Sequence, residues 1–136
     1  MMKSVNTILL IDDDDTTNYL NHRLLARMGT APDIRVVTNG DEAMEYLNKA
    51  FSGEEEYPVP DLIFVDIKMS GMDGFEFLEE YKKVPAEQKV NIVMLMLTSS
   101  ASFYDLEKLK QFPDVRKHYS KPLAEADVRE IMETYF

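Results

Sequence analysis

Apolar positions fall along the chain in two alternating rhythms. Short, nearly unbroken runs lie at 7–11, 34–38, 61–66, 91–98 and, more weakly, 117–120. Two of them, Leu62-Ile-Phe-Val65 and Ile92-Val-Met-Leu-Met-Leu97, are apolar throughout rather than every second residue, as in strands covered on both faces. The intervening segments carry apolar residues at helical spacing. Segment 16–28 sets Leu20, Leu24, Leu25 and Met28 on one side and stops at Gly29. Segment 40–51 carries Ala43, Met44, Leu47 and Phe51, and 74–83 carries Phe75, Leu78 and Tyr81. Segment 102–112 carries Phe103, Leu106 and Leu109, and 124–136 carries Val128, Ile131, Met132 and Tyr135. Five strands alternating with five helices predict a parallel sheet with helices on both faces. The polar stretch 51–60, with Pro58 and Pro60, reads as a surface insertion within one domain.

Composition narrows the function without altering this plan. A chain of 136 residues, 45% hydrophobic, suits one domain with a substantial core. Its formal net charge of −10 argues against nucleic acid or an anionic membrane as direct partner and favours a basic surface or a divalent cation. The absence of cysteine removes disulfides, thiolate catalysis and Cys-held zinc, and His22 and His118 are the only imidazoles. No signal pattern opens the chain and no apolar run reaches membrane-spanning length, so the expectation is a cytoplasmic protein.

The chemistry gathers where the predicted strands end. In an open parallel sheet, ligands bind beyond the carboxyl ends of the strands. The first run ends in the first two of four consecutive aspartates, Asp12 to Asp15, the third in Asp66, the fourth in Thr98-Ser-Ser100 and the fifth in Ser120-Lys-Pro122. Asp12, Asp13 and Asp66 form a carboxylate set that suits a hard, oxygen-seeking cation such as Mg2+. Thr98 and Lys121 add donors for an oxyanion. A cation, a hydroxyl and an ammonium around one carboxylate are what phosphoryl transfer onto that carboxylate requires. Asp14 and Asp15 are expected outside the cation site, facing solvent or favouring the first helix through its dipole. Asp73 is expected to cap the third helix.

The stretches Ile8-Leu-Leu-Ile-Asp-Asp-Asp, Asp61-Leu-Ile-Phe-Val-Asp-Ile-Lys-Met-Ser-Gly-Met-Asp-Gly74, Met96-Leu-Thr-Ser99 and Ser120-Lys-Pro-Leu123 resemble, in order and interval, the receiver domain of two-component response regulators. The resemblance spans 1–136. It implies a flavodoxin-like, doubly wound (βα)5 three-layer α/β sandwich with sheet order 2-1-3-4-5, and no output domain. It further implies that Asp66 accepts a phosphoryl group from the phosphohistidine of a histidine kinase or a histidine phosphotransfer protein. By the same resemblance Asp12, Asp13, Asp66 and the backbone carbonyl of Lys68 hold Mg2+. Thr98 and Lys121 engage the phosphoryl group, His118 occupies the switch position, and Lys68 and Ser100 tune the lifetime. The implied activity is that of a signalling phospho-acceptor, with slow intrinsic autophosphorylation and autodephosphorylation, rather than of a metabolic enzyme. Signalling then passes through phosphorylation-dependent contact with a downstream protein, on a surface formed by the fifth strand and the fourth and fifth predicted helices, without nucleic acid or membrane.

The chain departs from that pattern in two places. Ser70 stands where the family commonly has proline, and His118 where it commonly has Tyr or Phe. Other readings compete. Asp12-x-Asp14-x-Thr16 fits the first signature of haloacid dehalogenase phosphatases, with Asp12 as nucleophile, but too little chain follows Lys121 for the acidic fourth motif. An EF-hand fails at Thr17, where glycine is needed, and at Arg23, where glutamate is needed. A degenerate receiver acting only as a binding module does not call for a complete acceptor set.

Overall fold

The computed structural model describes residues 5–99 and 102–136. The predicted alternation holds. The strands are β1 (Thr7–Ile11), β2 (Asp33–Val37), β3 (Leu62–Val65), β4 (Val93–Thr98) and β5 (Val115–Ser120). The helices are α1 (Asp15–Arg27), α2 (Gly40–Phe51), α3 (Gly74–Lys82), α4 (Ala86–Lys89), α5 (Phe103–Leu109) and α6 (Glu125–Tyr135). The single turn α4 is additional to the five expected helices. It has no buried residue, so the apolar pattern carries no trace of it. All strand pairs are parallel, in the order β2-β1-β3-β4-β5. This is the doubly wound order that the resemblance implied.

The pleat sends alternate residues of each strand to opposite faces, and each face has its own core. Leu9, Ile11, Ile63, Val65, Met94 and Met96 pack with Ala43 and Leu47 of α2 and Phe77, Leu78 and Tyr81 of α3. Ile8, Leu10, Leu62, Phe64, Leu95 and Leu97 pack with Leu25 of α1 and Val128 and Ile131 of α6. Both faces being covered explains the unbroken apolar runs at β3 and β4.

Two helices turn differently from their apolar pattern. The inward face of α1 is Thr17, Asn18, Asn21 and Leu25, while Leu20 is exposed. Near the functional edge the inner positions of α1 hold polar tethers, and only its second half meets the apolar core. On α5, Phe103 is 79% and Tyr104 71% exposed, and of the apolar residues expected to face inward only Leu109 packs against the core. The core position expected of Phe103 is filled by Phe112, beyond the helix, whose ring lies 6.0 Å from that of Phe75.

The insertion between α2 and β3 is pinned. The Tyr46 hydroxyl donates to the Pro58 carbonyl at 2.6 Å, Arg35 donates to the Glu56 carbonyl at 2.7 Å, and Tyr57 meets Tyr46 edge-on at 5.4 Å. Glu54, Glu55 and Glu56 remain exposed.

Candidate functional site

Strand register builds the site. Ile11 pairs with Val65, so Asp12 and Asp66 are the next residues on adjacent strands, and the Asp66 N–H donates to the Ile11 carbonyl at 2.9 Å. They meet where β1 joins both β2 and β3, the point at which strand order reverses. Val65 pairs with Met96, which puts Thr98 just past the level of Asp66. Thr98 in turn pairs with Ser120, and its carbonyl accepts the Lys121 N–H at 2.9 Å. Four strands thus deliver Asp12, Asp66, Thr98 and Lys121 to one edge.

Asp12, Asp66 and Thr98 are buried, and the Lys121 side chain is only 9% exposed. Lys121 Nζ donates to Asp12 Oδ2 at 2.9 Å and to Asp66 Oδ2 at 3.0 Å. Burial pushes the Asp66 carboxyl above its ordinary range and the nearby Asp12 charge adds to this, while Lys121 and the Lys68 backbone pull the other way. For Lys121 burial disfavours the ammonium, but its hydrogen bonds to Asp12 and Asp66 outweigh that and hold it above its usual value. One ammonium shared by two buried carboxylates leaves negative charge uncompensated.

Asp13 is exposed, and its Oδ2 accepts the Ser70 N–H at 3.0 Å. Carboxylate oxygens of Asp12, Asp13 and Asp66 all lie within 4.8 Å of one another. This donor set, hard, anionic and short of positive charge, fits Mg2+. Asp14 and Asp15 are exposed, as expected. Asp14 instead accepts from the Thr17 hydroxyl, which holds its carboxyl below the usual range. Asp73 caps α3, accepting the Glu76 N–H at 2.9 Å.

The remaining candidates scatter. Lys68 is exposed in the loop after β3. His118 is exposed on β5, paired with Met96 and lining a groove of about 330 Å3 with Leu106 and Leu109. Its neighbour Tyr119 is buried on the opposite face and donates to Glu130 at 3.1 Å. Ser100 lies outside the described residues.

Sequence reasoning passed over Asn18 and Asn21. Asn18 Nδ2 donates to the Asp12 carbonyl at 2.8 Å, and Asn21 Oδ1 accepts the Leu123 N–H at 2.9 Å, just after the cis Lys121–Pro122 bond. Together they tether α1 to the aspartate and lysine ends of the site. Two asparagines three apart, among inward positions of a helix, were the available signal.

A family model for response regulator receiver domains matches residues 8–133. The chain belongs to this family. With membership comes its place in two-component phosphorelay signalling, as a phospho-acceptor rather than a phosphatase. A crystal structure of a two-component response regulator from Cytophaga hutchinsonii superimposes on this receiver with a TM-score of 0.86, at 28% identity, covering 98% of each chain. Among curated relatives, a probable methanogenesis regulatory protein of Methanothrix harundinacea is 28% identical over 93% of the receiver and 78% of its own length. Hybrid signal transduction histidine kinase L of Dictyostelium discoideum is 27% identical over 98% of the receiver, which spans only 7% of that protein.

Proposed function

We propose that Asp66 is the phospho-acceptor and that Asp12, Asp13 and Asp66, with the Lys68 backbone carbonyl, hold Mg2+ beside it. The observation that carries this reading is the buried Asp66 carboxylate, bonded to Lys121 at 3.0 Å within a three-carboxylate cluster. When bound, Mg2+ supplies positive charge to the acceptor carboxylate and the incoming phosphoryl oxygens. An Asp66 carboxylate oxygen attacks phosphorus of a phosphohistidine on a histidine kinase or phosphotransfer protein. The P–O bond forms as the P–N bond breaks, and the imidazole leaves on the partner. Lys121 can follow the new charge because its ammonium already lies between Asp12 and Asp66. Thr98 supplies a hydroxyl from the next strand.

Hydrolysis of the acyl phosphate returns Asp66 and inorganic phosphate, with Lys68 and Ser100 setting its rate. Movement at Thr98 biases the surface of β5, α5 and α6, with His118 in the switch position, and a downstream protein reads that surface. The setting is cytoplasmic, and neither nucleic acid nor membrane is a direct partner of this acidic domain. No helix among the described residues is long and apolar enough to cross a membrane.

The test is incubation with Mg2+ and acetyl phosphate, followed by mapping of the acid-labile phosphoryl group. Label on Asp66 that is lost in Asp66→Asn is expected, which would also show intrinsic autophosphorylation. Label on Asp12 would overturn the assignment.

A further inference from the structure

We infer that Ser70 is a positioning residue of the metal site, its backbone N–H holding the Asp13 carboxylate turned toward Asp12 and Asp66 before a cation arrives. The inference rests on the reading that Mg2+ binds among these three carboxylates.

Asp13 is the weakly held member of the set. Asp12 and Asp66 are buried, and both bond to Lys121, whereas Asp13 is exposed. Its negative neighbours, Asp12 and Asp66 within 4.8 Å, repel it toward water. Across 57 residues of sequence, Asp13 Oδ2 meets the Ser70 N–H at 3.0 Å, with the Ser70 hydroxyl at the long distance of 3.5 Å. The amide contact is therefore the effective one.

The fold sets where that amide sits. Residues 66–73 join β3 to α3, and the loop is closed on itself and tied to α2. The Gly74 N–H donates to the Ile67 carbonyl at 2.8 Å, and the Met72 carbonyl accepts the Gly40 N–H at 3.0 Å. Gly71 makes the turn between them at φ +73°.

An amide is a suitable orienting group for a cation ligand. It is neutral, so it fixes one carboxylate oxygen without competing for the site as an ammonium would. Mg2+ takes one oxygen from such a ligand, which leaves the other to keep the amide bond. A proline at position 70 has no N–H to offer.

The experiment measures Mg2+ affinity by calorimetry for wild type, Ser70→Pro, Ser70→Ala and Asp13→Asn, and for Ser70→Pro combined with Asp13→Asn. Thermal melts of the metal-free proteins control for folding. Ser70→Pro is expected to weaken Mg2+ about 10-fold, the low end of the range for groups that orient metal ligands. Ser70→Ala, which keeps the amide, is expected to stay within about twofold of wild type. In the Asp13→Asn background the proline is expected to have no further effect. Equal affinity of wild type and Ser70→Pro overturns the inference alone, while absence of Mg2+ binding by wild type overturns the metal reading and the inference with it. Should the proline variant fold poorly, the amide proton of Ser70 in the wild type decides. It is expected to lie downfield without metal, to stay there at saturating Mg2+, and to move upfield in Asp13→Asn. An upfield move of the wild-type resonance at saturation overturns the inference.

Discussion

Asp66 and Asp12 are two buried acids held by one lysine, and this makes the site costly to maintain without a cation. Burial, then the charge of Asp12, raises the Asp66 carboxyl above its ordinary value of 3.8. The sign follows from linkage. An acid whose folded pKa is raised adds stability below its unfolded value, and that stability is lost as pH rises through the folded value. Asp66→Asn removes this penalty without changing side-chain size. In metal-free buffer at pH 7 the variant should melt above wild type. The gap should close on acidification toward the unfolded carboxyl value and shrink when Mg2+ is added to wild type. A variant that melts below wild type at pH 7 without metal would contradict the account. At this scale residue type and strand-end position were enough to pick out Asp12, Asp13, Asp66, Thr98 and Lys121. They did not reveal Asn18 and Asn21, because a polar residue on a helix gives no sign of which backbone group it will meet.

The element that seats Asp66 is the start of α3. Asp73 and Glu76 exchange side-chain and backbone bonds as a capping box. Gly74, the first residue of α3, is pressed against the loop after β3. A Cβ there would lie 2.2 Å from the Asp66 carbonyl oxygen and 2.8 Å from Ile67 Cα. These are backbone atoms and cannot swing aside. Gly74→Ala should therefore cost about 3 kcal/mol in urea unfolding and slow phosphorylation of Asp66 as the loop shifts. The cap was legible in Met-Asp-Gly, since Asp favours that position whatever it packs on. The need for glycine was not, because it comes from a close approach to another segment. The same reason separates the two helices whose apolar pattern misled. Spacing shows which residues share a side of a helix, but neither Leu20 on α1 nor Phe103 on α5 reaches the core, since packing sets how much of that side is covered.

Across the whole molecule, one sheet carries two cores. Each strand sends successive side chains to opposite faces, as Ile8 and Leu10 against Leu9 and Ile11 show. Neither face can unfold without exposing the back of the other, so a single cooperative transition is expected. Leu47→Ala, a fully buried position on one face, should lower stability by about 2–5 kcal/mol with an unchanged denaturant slope. Tyrosine signals and backbone circular dichroism should report the same midpoint, and divergent midpoints would show that the faces unfold separately. The sheet also explains how a chain of net charge −10 gathers Asp12, Asp13 and Asp66 at one edge. Parallel strands point their carboxyl ends the same way, so every strand-end acid arrives on the same side.

Local chemistry in the sequence alone picked out every element but the short α4, the parallel sheet and the residues at its carboxyl edge, because apolar periodicity and strand-end composition are local properties of the chain. Tertiary structure decided what depends on meetings between distant segments. The register of β1 on β3 put Asp12 beside Asp66, α1 turned Asn18 and Asn21 onto the backbone, His118 faced outward while Tyr119 faced inward, and Ser70 came to hold Asp13. A residue's own chemistry limits which contacts it can make, and the fold selects which of them it makes.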